Sequence, residues 1–264
     1  MNKLTRFLKD LYEHERFDVC LPLFHLCTFE QASKYAFTRR VATTPCPRFN
    51  KNTIYLFLGR SAFRKVNQNG TIISTPICFI LKPNNNIDID NVFPFDTGAV
   101  LLDLYQPVLK KEDMDKVKVD FTIGNDLTLA YRLLKFFFGS IKDYVSLNAV
   151  TLSEKQLKDI VRVESVTELE YIHGIYTCKW ADADIRKITV EVHSDSDLLL
   201  TRKNLAGMII PTDFDVNKEF QELCDDTAAE MVFYDEPNAH LKDNYYSMIT
   251  ERSIEISKKT CHAN

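Results

Sequence analysis

The stretch Arg186-Lys-Ile-Thr-Val-Glu-Val-His193 decides how this chain is read. Its residues alternate: Ile188, Val190 and Val192 fall on one face, while Lys187, Thr189, Glu191 and His193 fall on the other, the period of a β-strand. One reading is a half-exposed strand with a solvated polar face, where charged side chains usually sit. The other is a carboxylate, Glu191, mounted on a rigid element and aimed into a cleft, where it can meet a developing positive charge. The alternation admits both.

Working outward, Ala206 to Ile210 and Glu230 to Tyr234 are apolar strand candidates, with a helix over about Val216 to Cys224 between them. Tyr171 to Lys179, aromatic and β-branched, also reads as a strand. Ser153 and Gln156 form a capping box that opens a helix through about Arg162. Asp126 to Phe138 has the pattern of a largely buried helix, stopped by Gly139. The charged stretch from Lys110 to Asp120 reads as solvated.

Towards the N-terminus, Thr53 to Leu58 and Thr71 to Leu81 are strand candidates, the second open to interruption at Pro76. Ala42 to Asn52, with two prolines, reads as a loop. Val19 to Leu26 is a short buried strand, after which Thr28 and Gln31 make a second capping box. The helix they open carries Ala32, Tyr35 and Ala36 inward, and Leu4, Phe7, Leu8 and Leu11 mark an amphipathic first helix. Strands and helices in this mixture predict an α+β fold. With no repeat or clear linker, one domain over residues 1–264 is the simplest account, with a helical insertion at about 106–166.

Composition narrows the function. The net charge of −4 removes any global electrostatic attraction for nucleic acid, although a local basic patch remains open. No leader-like apolar core or bilayer-length run is present, so the cytoplasm is expected and a membrane is not. Seven cysteines without CxxC pairs suit a reducing compartment. A zinc site from Cys20, His25 and Cys27 matches no recurring ligand spacing, and no metal is expected. Glycine numbers only 7, and the Walker A, GxGxxG, HExxH and GxSxG patterns are all missing.

Three further places could carry chemistry. His25, just before the Thr28 cap, is either a core histidine bonded to backbone or a group that orients a ligand hydroxyl. Arg60 and Arg64 follow the Thr53 to Leu58 strand. They are a surface turn or a guanidinium fork for phosphate, with Phe63 or Tyr55 as a stacking surface. Pro94-Phe-Asp-Thr-Gly-Ala99 is a compact turn in which Asp96 and Thr97 can satisfy local backbone groups and Gly98 can take a positive φ.

Three of these segments, in order, resemble the ADP-ribosyltransferase superfamily, in particular bacterial DarT-like toxins and related antiphage defence proteins. They are Phe-His-Leu-Cys-Thr28, Ile-Tyr-Leu-Phe-Leu-Gly-Arg-Ser-Ala-Phe63, and Arg-Lys-Ile-Thr-Val-Glu191 followed by Leu205 to Pro211. The resemblance implies a split β-sheet core with flanking helices and NAD as the substrate. It also implies His25 and Thr28 at the ribose, Tyr55 and Phe63 beside the dinucleotide, and Arg60 at the pyrophosphate as a catalytic partner of Glu191. Glu191 would bond the nicotinamide-ribose 2′-hydroxyl and steady an oxocarbenium-like transition state. Thr189, where arginine-modifying members carry a glutamate or glutamine, disfavours an arginine acceptor and is compatible with a nucleic-acid acceptor, DNA or RNA, which the resemblance implies. A toxin–antitoxin or antiphage role follows, with an antitoxin protein as a possible partner. The alternatives are an NAD glycohydrolase and a catalytically inactive binding module on the same fold.

Overall fold

The computed structural model of the protein describes residues 1–62, 75–84, 87–177, 188–235 and 244–262. Along the chain run α1 (Lys3–Asp10), β1 (Leu23–Thr28), α2 (Phe29–Thr38), β2 (Arg40–Val41), β3 (Thr44–Cys46), β4 (Lys51–Leu58), β5 (Pro76–Leu81) and β6 (Asn91–Phe93). Six helices follow: α3 (Thr97–Leu101), α4 (Met114–Asp120), α5 (Leu127–Phe138), α6 (Ile141–Val145), α7 (Glu154–Glu164) and α8 (Glu168–Thr177). The chain ends with β7 (Glu191–Ser194), β8 (Leu198–Leu199), β9 (Leu205–Pro211), α9 (Lys218–Thr227), β10 (Glu230–Tyr234) and α10 (Asn244–His262). The result is a mixed α/β protein with mostly antiparallel strands and flanking helices. No helix among the described residues is long and apolar enough to cross a membrane.

Where one domain is expected, the chain divides into two compact units. The first comprises Met1–Val19 and Ile89–His193, the second Cys20–Asp88 and Ser194–Asn264.

The second unit is built on strands in the order β10-β9-β5-β1-β4, and β3 also pairs with β4. Among the described residues of this unit only β9 and β10 run parallel; β1, β4, β5 and β9 are joined antiparallel. Every residue of β5 is buried, as befits a central strand covered on both faces. One face carries Phe24, Leu26, Phe57, Cys78, Ile80 and Ile209, closed over by Ile249 of α10. On the other face Tyr35 of α2 packs its ring 6.2 Å from Phe79 of β5. Gly207 of β9 is a steric requirement, because a Cβ there would lie 2.5 Å from the carbonyl oxygen of Glu230 on β10.

Both capping boxes form as the sequence indicates, Thr28 with Gln31 and Ser153 with Gln156. Gly139 ends α5 at φ 79°. Residues 106–166 carry α4, α5, α6 and α7, and they are not peripheral: Phe121, Tyr131, Phe137, Phe138 and Tyr144 are all buried in the first unit.

Several elements differ from expectation. Cys178 and Lys179 lie outside the described residues, and Tyr171 to Thr177 is not a strand but the last part of α8. Its buried Leu169, Ile172, His173, Ile175 and Tyr176 recur at helical spacing, and Gly174 leaves room for Val108, 3.2 Å from where a Cβ would sit. The charged 110–120 stretch folds as α4 and buries Met114 and Val117. Within the expected loop at 42–52, β3 pairs with β4. β7 begins only at Glu191, and Arg186 and Lys187 lie outside the described residues. α10 carries no strong apolar signal in the sequence, and it buries Ile249, Thr250, Ser253 and Ser257.

Candidate functional site

In the first unit β6 and β7 pair antiparallel, setting Phe93 opposite Glu191 and Asn91 opposite His193. The chain leaves β6 through Pro94 and Phe95 and turns at Asp96-Thr97-Gly98 into α3. Asp96 is the cap, its side chain accepting from the backbone N–H of Ala99 at 3.1 Å. Gly98 does not take a positive φ. It is needed because a Cβ would stand 2.8 Å from Oδ1 of Asp96 and push the cap away.

That turn aims Thr97 at Glu191. The Thr97 hydroxyl donates to Oε1 at 2.6 Å and its backbone N–H donates to Oε2 at 3.1 Å. Nε2 of His193, two residues along β7, lies 2.6 Å from Oε1 and donates to it, since a carboxylate only accepts. The His193 ring also packs 5.0 Å from Phe93. Thr189, Glu191 and His193 are 0%, 1% and 0% exposed. The solvated-face reading of this strand is therefore overturned. Among its described residues both faces are buried, and the polar one is held by hydrogen bonds, which burial of such groups demands.

In the second unit β1 and β4 pair only over Leu23↔Leu58 and Phe24↔Phe57. Beyond that point His25 of β1 reaches β4 with its side chain, Nδ1 lying 2.9 Å from the carbonyl oxygen of Tyr55. A carbonyl can only accept, so Nδ1 carries the proton. Burial holds the His25 pKa below its ordinary value, the bond to Tyr55 opposing this in part, so the ring is neutral. Nε2 is then an acceptor. His25 as a whole is half-buried, yet Nε2 is shielded and has no partner among the described residues. The expected backbone bond and an open nitrogen are thus both present.

The other expected residues of this unit are placed as follows. Thr28 is occupied as the α2 cap, accepting from Gln31. The Tyr55 hydroxyl lies 2.7 Å from Sγ of Cys46. Arg60 is fully buried, which excludes a surface turn. The turn around it is closed by α10, with Ser257 donating to the Gly59 carbonyl and Ser253 accepting from the Ser61 N–H. Phe63 and Arg64 lie outside the described residues.

Cys27, Cys78 and Cys224 do not present nucleophiles. Burial pushes the Cys27 and Cys78 thiols well up, and that of Cys224 up to about 11. Among the described residues no group of three or more His, Cys, Asp or Glu side chains could hold a metal.

Sequence reading placed Glu191 and His193 on one strand face and marked Asp96-Thr97-Gly98 as a turn, but did not join the two. Thr97 and Glu191 are 94 residues apart and share no local pattern. No protein-family model, curated protein or solved structure matches the chain.

Proposed function

We propose that the protein cleaves the bond between nicotinamide and ribose in NAD and transfers ADP-ribose, with Glu191 as the catalytic carboxylate. The observation that supports this best is the fixing of Glu191 through both oxygens by Thr97 and His193 on a buried strand. A carboxylate held in place before substrate arrives needs no reorganisation when positive charge develops on the sugar. As the glycosidic bond opens, its electron pair leaves with the nicotinamide nitrogen. The carboxylate accepts from the 2′-hydroxyl and steadies the cationic ring, the same logic as in glycoside hydrolysis.

A separate support comes from the second unit. His25 Nε2 is a shielded acceptor in need of a donor, and a sugar hydroxyl is a donor of the right kind. With the resemblance to DarT-like proteins, the acceptor proposed is a nucleic acid, in a toxin or antiphage setting.

The 1% exposure of Glu191 favours a second reading, in which the carboxylate is a structural knot tying α3 to β7 in a binding module. Incubation with NAD labelled in its adenylate, with DNA, with RNA and with neither, separates the possibilities. Label on nucleic acid supports transfer, and free ADP-ribose alone supports a glycohydrolase. No nicotinamide release under any condition supports the binding module.

A further inference from the structure

We infer that Oε2 of Glu191 is the oxygen that meets the substrate, and that Thr97 and His193 are positioning residues that make it so; this rests on the reading of Glu191 as the catalytic carboxylate. The two oxygens are not equivalent. Oε1 accepts from the Thr97 hydroxyl and from His193, both at 2.6 Å, which uses its two lone-pair directions. Oε2 accepts only the Thr97 backbone N–H, at 3.1 Å, and keeps one direction for another donor.

Thr97 is a two-point clamp, one donor to each oxygen, so it fixes the plane of the carboxylate as well as its position. His193 approaches Oε1 from the same strand and resists rotation about the last side-chain bond. The clamp is built into the sequence Asp96-Thr97-Gly98. Asp96 caps α3 and sets the direction of the Thr97 N–H, and Gly98 clears the space that the Asp96 carboxylate occupies. A donor that bonds Oε2 in line with this plane meets an oxygen whose orientation no longer varies, the condition for a near-attack geometry.

The test compares isosteric pairs in nicotinamide release by the full chain. Thr97→Val removes the hydroxyl donor and keeps the volume, while Thr97→Ser keeps the donor. His193→Phe removes the ring nitrogen, while His193→Gln returns an N–H near the position of Nε2. With folding checked by circular dichroism, Thr97→Val and His193→Phe are expected to lower kcat by about tenfold to a hundredfold with KM held within about twofold, because the loss is of orientation and not of binding. Thr97→Ser and His193→Gln are expected to recover most of the rate. Folded Thr97→Val and His193→Phe proteins with wild-type kcat would overturn the inference while leaving Glu191 in place, as would Ser and Gln variants that fail as badly as Val and Phe. If Thr97→Val does not fold, the His193 pair makes the same comparison. Full activity in Glu191→Gln, or no release by the wild type, overturns the catalytic reading itself and the inference with it.

Discussion

Glu191 and His25 are both polar groups on strands, and their surroundings differ in one respect. Glu191 sits in a cluster closed around Oε1, with three donors directed at its carboxylate and one acceptor direction left on Oε2. His25 has one nitrogen committed to Tyr55 and the other shielded without a partner among the described residues. The closed cluster fixes the orientation of its group before a ligand arrives. The open one holds back a bond until something supplies the missing donor. The contrast separates a group whose orientation the fold already fixes from one that waits for a donor.

Substitution tests the contrast most strongly at the closed cluster. Glu191→Ala leaves two Thr97 donors and the His193 N–H buried without an acceptor, and is expected to cost about 3 kcal/mol or more in urea unfolding. His193→Phe removes one donor and keeps the ring, with an expected loss of about 1–3 kcal/mol. His25→Phe should cost about 1 kcal/mol or less, because it removes one bond to Tyr55 and also an acceptor that was already unsatisfied. A His25 variant as damaging as the Glu191 variant would erase the distinction between the two sites.

The smallest expected effect is in pH. The fold favours neutral His25, so the unfolded chain binds the extra proton more readily. Stability from this residue is therefore present above about 6.5, the ordinary histidine value, and falls as pH drops below it. Unfolding midpoints of wild type and His25→Phe should draw together as pH falls from 7 towards 5. Parallel curves would mean that His25 is not held neutral by burial.

How much of this was legible in the sequence depended on range. The capping boxes at Thr28 and Ser153 and the stop at Gly139 were readable because each is settled within four residues. Strand β10 matches its expected bounds, Glu230 to Tyr234, because its apolar run is short and read locally. Tyr171 to Lys179 reads as a strand because Tyr171, Ile172, Ile175, Tyr176 and Thr177 each favour one, while the helical spacing of Leu169, Ile172, Ile175 and Tyr176 appears only when Leu169 is included. α10 was missed because the stripe it buries through Thr250, Ser253 and Ser257 is of hydroxyls, whose partners lie on the distant Gly59–Ser61 turn. At the candidate site, alternation placed His193 beside Glu191. The contact with Thr97 depends on β6 pairing with β7, and nothing within either segment announces it.

The most direct test is nicotinamide release from NAD by wild type and by Glu191→Gln, both shown to be folded by circular dichroism and thermal melting. Release by the wild type and a rate lower by about a hundredfold to a thousandfold in the variant is the expected result for loss of a fixed electrostatic stabiliser. Equal rates in the two proteins, or no release by either, would contradict the assignment of Glu191.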